Sequence, residues 1–124
     1  MTEPLAILFY EKLIPGSQLT SRLQDLRYRV RIVNDAEMLP QCAEESQAMI
    51  VVADLASQPS QICSAITRLR QNANTAHIPV IGFAPDDRPE LQETGREAGA
   101  TLAVTDAAVT HYLPQLLEQA LAQF

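Results

Sequence analysis

Few residues in this 124-residue chain combine the type and the spacing that chemistry requires. The two cysteines, Cys42 and Cys63, are 21 positions apart, with no C-x-x-C pair and no histidine at ligand spacing. Zinc coordination and dithiol chemistry both need tighter sets, so neither is expected, and a reducing, cytoplasmic setting is the default. His77 and His111 have no acidic or cysteine partner at ligand spacing and read as surface histidines. Asp86-Asp87 has the charge to hold a metal, yet adjacent acids ahead of a helix read better as caps favoured by the helix dipole. No Walker-type P-loop and no G-x-G-x-x-G occurs. No Ser/His/Asp or Cys/His arrangement falls at a strand end, so an enzyme is not expected. The carboxylates that remain, among them Glu11, Asp54 and Asp106, acquire meaning only through the elements that position them.

Composition bounds those elements. With 47% apolar and 19% charged residues the chain is an ordinary globule, of a length that suits one domain over residues 1–124. Its apolar runs reach about five residues, far short of the ~20 that span a bilayer. Met-Thr-Glu-Pro at the start has no basic region of the kind that opens a signal peptide. Nine Lys+Arg against fifteen Asp+Glu leave a net charge of −6, which argues against a nucleic-acid partner because gripping phosphates needs clustered cations.

Short apolar runs alternate with stretches of helical period. Leu5–Tyr10, Met49–Ala53 and His77–Phe83 read as buried strands, with Met49–Ala53 the most central. Tyr28–Val33 alternates with period two, as a strand with one wet face or at a sheet edge. Leu102–Val104 is a short fifth strand. Between them, Ser17 is expected to cap a helix carrying Leu19, Leu23 and Leu26, and Ser60 one carrying Ile62, Ile66 and Leu69. A short helix includes Leu39 and Cys42, with Pro40 in its first turn. Another surrounds Leu91 and ends at Gly99, and a last helix carries Val109 through Leu121.

Five βα units predict an α/β fold: a doubly wound, flavodoxin-like, five-stranded parallel sheet flanked by five helices. Ligand sites in such sheets lie beyond the carboxyl ends of the strands. The positions of interest are therefore Tyr10 and Glu11, Asp54, Ala84 to Asp86, and Thr105 and Asp106. A flavodoxin-type mononucleotide site would need a Ser/Thr/Gly-rich loop after the first strand; Glu11–Gly16 offers one glycine.

In order and spacing these pieces resemble the receiver domain of two-component response regulators. Ile66–Gln71 followed by Ile78-Pro-Val-Ile81 is similar to the third helix and fourth strand of that family. Ala98-Gly99-Ala100 is similar to the segment before its fifth strand, and Asn34 to the residue after its second. Met49–Asp54 resembles the third strand ending at the phospho-accepting aspartate. The resemblance implies that Asp54 is the acceptor candidate. It also implies that two acids after the first strand join Asp54 in holding Mg²⁺, that a Ser/Thr and a Lys after the fourth and fifth strands bind phosphoryl oxygens, and that an aromatic residue relays the change.

Most of that set is replaced here. The acid pair falls on Tyr10 and Glu11, the hydroxyl position on Ala84, and the Lys position on Asp106 or Thr105. The aromatic position falls on Ala103. Glu11 and Asp54 are the remaining metal candidates. Phosphoryl transfer relies on positioned charge, and removing one such donor typically costs ~10²–10³ in rate. A pseudo-receiver is therefore expected: no cofactor, and a protein-interaction module in phosphorelay signalling. Its partner would be a histidine kinase or an output domain, bound through the face of the fourth helix, fifth strand and fifth helix, with a homodimer as another arrangement. The alternative is a stand-alone receiver phosphorylated on Asp54 with Mg²⁺. Arg27, Arg29 and Arg31 form the one basic cluster, read as a solvated edge that discourages sheet pairing, with a lesser reading as a stripe for an acidic partner.

Overall fold

Where side chains can be buried on both faces of a strand, the backbone must pair on both sides, and the apolar runs do so. The computed structural model describes residues 4–10 and 13–122. Its strands are β1 (Leu5–Phe9), β2 (Arg29–Val33), β3 (Ile50–Asp54), β4 (Val80–Ala84) and β5 (Leu102–Thr105). All pair in parallel, in the order β2-β1-β3-β4-β5, the doubly wound arrangement that the alternation predicts. β3 and β4 are buried throughout, whereas β2 and β5 form the edges.

Helices cover both faces: α1 (Leu13–Asp25), α2 (Leu39–Ser46), α3 (Pro59–Gln71), α4 (Pro89–Ala98), α5 (Asp106–His111) and α6 (Leu113–Leu121). One core layer joins Ile7, Phe9, Val51 and Ala53 to Leu39, Ile62, Ile66, Leu69 and Leu91 from α2, α3 and α4. The other joins Ala6, Leu8, Val52, Ile81 and Phe83 to Leu19 and Leu23 of α1 and to Val109, Leu113 and Leu117. Strand alternation thus sends each side chain to the layer that its parity dictates.

Among the described residues six α-helices replace the expected five, because the last helix is broken at Tyr112, and a short 3-10 turn (Ala36–Met38) precedes α2. Pro114 has no N–H and its ring cannot sit inside a helix, so it begins a new first turn. Two helix starts also differ from expectation. α1 begins at Leu13, ahead of Ser17, because Pro15 is tolerated within a first turn. α3 begins at Pro59, one residue ahead of Ser60; proline's fixed φ suits that first position. β4 starts at Val80 rather than His77 because Thr75–Ile78 turns on itself, with Ile78 N–H donating to the Thr75 carbonyl. Asp86 and Asp87 cap nothing: they are exposed in the turn before α4, and the acid in its first turn is Glu90. Glu90 accepts from Arg88 Nε at 2.7 Å, which holds its carboxyl below the usual carboxylate range.

Leu55 links the sheet to α4. Its side chain fills a notch between two glycines, and a Cβ at either Gly82 or Gly95 would meet Leu55 Cδ1 at 2.8 Å. Squeezed from both sides and buried, Leu55 has nowhere to retreat. Gly82→Ala is therefore expected to destabilise the protein by about 1–3 kcal/mol by overpacking. Adding Leu55→Ala should recover part of that loss, because the second change empties the space the first one needs. Urea unfolding of both single variants and the double variant checks the sign of this coupling.

Candidate functional site

The sequence places Tyr10, Asp54, Ala84 and Thr105 at strand ends, and the sheet brings those ends together. Phe9 pairs with Ala53, Asp54 with Phe83, and Ala84 with Thr105, so the four positions line one carboxyl edge. Glu11 lies outside the described residues.

Asp54 is buried, with 4% of its surface exposed. Its Oδ1 accepts the Ala56 N–H at 2.9 Å, and its Oδ2 accepts the Ser57 hydroxyl at 2.8 Å. Each carboxylate oxygen thus has a donor from its own turn, the Asx-type arrangement that a short acidic side chain favours. Ser57 is equally buried. The next residue carries the turn outward: Gln58 has φ 48, in the left-handed region. Its Oε1 accepts the Ala36 N–H at 3.0 Å and its Nε2 donates to the Asn34 carbonyl at 3.1 Å. The turn after Asp54 is thereby tied to the loop after β2, and Asn34 takes part through its backbone carbonyl.

The remaining edge positions carry no charge toward Asp54. Ala84 is buried and offers a methyl group. Thr105 closes β5, and its hydroxyl accepts the Ala108 N–H at 3.1 Å, capping α5. Asp106 is the first residue of α5, half-buried, and is one place further along the chain than the strand tip facing Ala84. Ala103 is half-buried against the α2–α4 core layer. Tyr10 packs on the opposite layer, with its N–H donating to the Val33 carbonyl.

A second polar node lies at the other end of the sheet, where sequence reasoning sought nothing. Arg70, in the last turn of α3, donates from Nε to the Gly99 carbonyl at 2.8 Å and from one terminal nitrogen to the Ile78 carbonyl at 2.6 Å. Its other terminal nitrogen reaches Thr101 Oγ1 at 3.0 Å, which in turn accepts the Val80 N–H. One guanidinium therefore clamps the starts of β4 and β5, and its partial burial lowers its pKa. Ser57 had a readable signal, a hydroxyl three places after a strand-end aspartate; Arg70 had none, because its partners are 6 to 31 positions away.

Solved structures with this architecture are plentiful. The chain superposes on the receiver domain of a Pseudomonas aeruginosa sensor histidine kinase, described with a magnesium ion in its active-site cleft, with a TM-score of 0.85 over 98% of this chain and 99% of that one, at 18% identity. The signal receiver domain of an HD-domain protein from Pseudomonas fluorescens gives 0.82 at 17% identity, covering 99% and 90% of the two chains. The chain has the receiver fold. A chemotaxis response regulator of Vibrio cholerae shares it as well, at 0.76 and 15% identity over 95% and 99% of the chains. No protein-family model matches the chain, and no curated protein matches it in sequence.

A magnesium ion takes several oxygen ligands; of the two candidates, Asp54 is at the edge and Glu11 lies outside the described residues. Asp54 is one carboxylate with both oxygens already accepting hydrogen bonds, and Tyr10 offers a phenol where a second acid would help. Among the described residues no group of three or more acids, histidines or cysteines stands close enough to hold a metal. A groove of about 730 Å³ between α1 and α5, lined in part by Arg22, Asp25 and His111, does not reach Asp54.

This geometry makes Asp54 the anchor of its own turn. Asp54→Ala strands the Ala56 N–H and the Ser57 hydroxyl, and is expected to cost about 1–3 kcal/mol of stability. Asp54→Asn keeps an acceptor for Ala56 and should cost less. Chemical denaturation of the three proteins checks the order.

Proposed function

We propose that the chain is a pseudo-receiver: a receiver-fold module of two-component phosphorelay signalling that acts by binding another protein rather than by accepting a phosphoryl group. One observation carries the reading. The acceptor candidate, Asp54, is buried with both oxygens engaged by Ala56 and Ser57, while the neighbouring tips carry Ala84 and Thr105. A phosphoryl group there would find no cation at those tips to stabilise its charge, and the one hydroxyl, that of Thr105, is engaged as the cap of α5. The positions of the moving parts, Ala84 and Ala103, each hold a methyl group, so neither supplies a bistable side chain for a signal to bias.

The partner surface in this reading is α4, β5 and α5, and the partner a histidine kinase or an output domain; self-association through the same face is the other arrangement. α4 is largely exposed and acidic, with Glu90, Glu93 and Glu97 against Arg88 and Arg96 around it. Arg88 pairs with Glu90 and Arg96 with Glu93 at 3.2 Å, both on the surface. No described helix is long and apolar enough to cross a membrane.

Incubation with acetyl phosphate and Mg²⁺, followed by intact-mass measurement, is expected to leave the protein unmodified. Beryllofluoride should likewise leave the amide resonances of α4 and β5 unmoved. Rapid phosphorylation that vanishes in Asp54→Asn would establish the phosphorylatable receiver instead.

A further inference from the structure

The edge of the sheet farthest from α4 carries the opposite charge. β2 is an edge strand, paired with β1 alone. The ladder to β1 uses the Arg29 N–H, which donates to the Pro4 carbonyl at 2.8 Å, and the Val33 carbonyl, which accepts from Tyr10. Backbone direction alternates along a strand, so Arg29, Arg31 and Val33 face β1 and the N–H and C=O groups of Val30 and Ile32 face outward. No hydrogen bond of the described residues outside that ladder reaches Val30 or Ile32.

The side chains on this edge are charged one way. Residues 26–34 hold three arginines and no acid, in a chain whose net charge is −6. Arg27, Arg29 and Arg31 are all exposed, and Ile32, next after Arg31, keeps half its surface in water. Arg29 and Arg31 share the sheet face on which Val33 is buried, whereas Ile32 lies on the other.

We propose that the outer edge of β2 is a docking surface for an extended acidic polypeptide segment, which adds to the sheet as one further strand. Outward N–H and C=O groups supply main-chain pairing, acids at alternate positions meet Arg29 and Arg31, and an apolar residue covers Ile32. A second copy of the chain is the wrong occupant. Pairing β2 with β2 would set the arginines of one copy against those of the other, and like charges opposite one another oppose strand pairing. The charge that blocks self-pairing is the charge that selects an acidic partner. The inference is independent of whether Asp54 accepts a phosphoryl group.

The test uses the whole chain and a capped synthetic peptide alternating Val and Glu, with a Val/Lys peptide of the same length as control. Amide resonances of β2 should shift with the acidic peptide alone, and exchange of the Val30 and Ile32 amides should slow at least about tenfold. Added salt should weaken the binding. Arg31→Glu, with its unfolding midpoint measured in parallel, should weaken binding at least about tenfold through the lost charge complementarity. Ile32→Pro removes an outward N–H while leaving every arginine in place, and should abolish binding. Equal binding of the Lys peptide, shifts centred away from β2, absence of binding, or binding that survives Ile32→Pro would each overturn the proposal.

Discussion

A carboxylate buried at the end of the most apolar strand must find donors, because leaving a buried polar group unpaired costs about 1–3 kcal/mol. Asp54 finds both within three residues, and the loop after β3 takes its shape from that need. Ala56 and Ser57 turn back toward the carboxylate, which sends Gln58 into the left-handed region and its side chain across to the loop after β2. Leu55, between the aspartate and its donors, goes to the other side and fills the notch that Gly82 and Gly95 leave. One strand end thereby sets the position of two loops and one helix.

The same packing supports the proposal that the carboxyl edge does not switch. The residues at and behind it are small: Ala84 at the tip of β4, with Gly82 and Ala103 further back on β4 and β5 and Gly95 on α4. Close packing against such residues leaves little room for a side chain with two stable positions, and a switch requires two. Under the proposed function this would be a fixed surface, which a partner can recognise without any change in the sheet.

Charge divides along the sheet rather than around the site. α4 and the turn before it gather acids, while β2 at the opposite edge gathers arginines. Net charge alone hides this division, since −6 is a sum over the whole chain. Arg70 stands apart from both: its guanidinium is spent on the carbonyls and hydroxyl that begin β4 and β5, so it contributes to the frame and not to a surface.

Much of this was legible before folding. Apolar runs of strand length separated by stretches of helical period specify a parallel doubly wound sheet, because period and burial are local properties of the chain. The strand tips followed, and with them Tyr10, Asp54, Ala84 and Thr105 as neighbours. Helix starts at Leu13 and Pro59 were missed because hydroxyl residues nearby looked like caps while prolines set the first turns. The break at Tyr112 follows from Pro114, whose chemistry is local. The composition of each element is thus written in the residues themselves. Which partners Gln58 and Arg70 choose is settled by folding, because hydrogen bonds spanning 24 and 31 positions exist only once the register of the strands has brought their ends together.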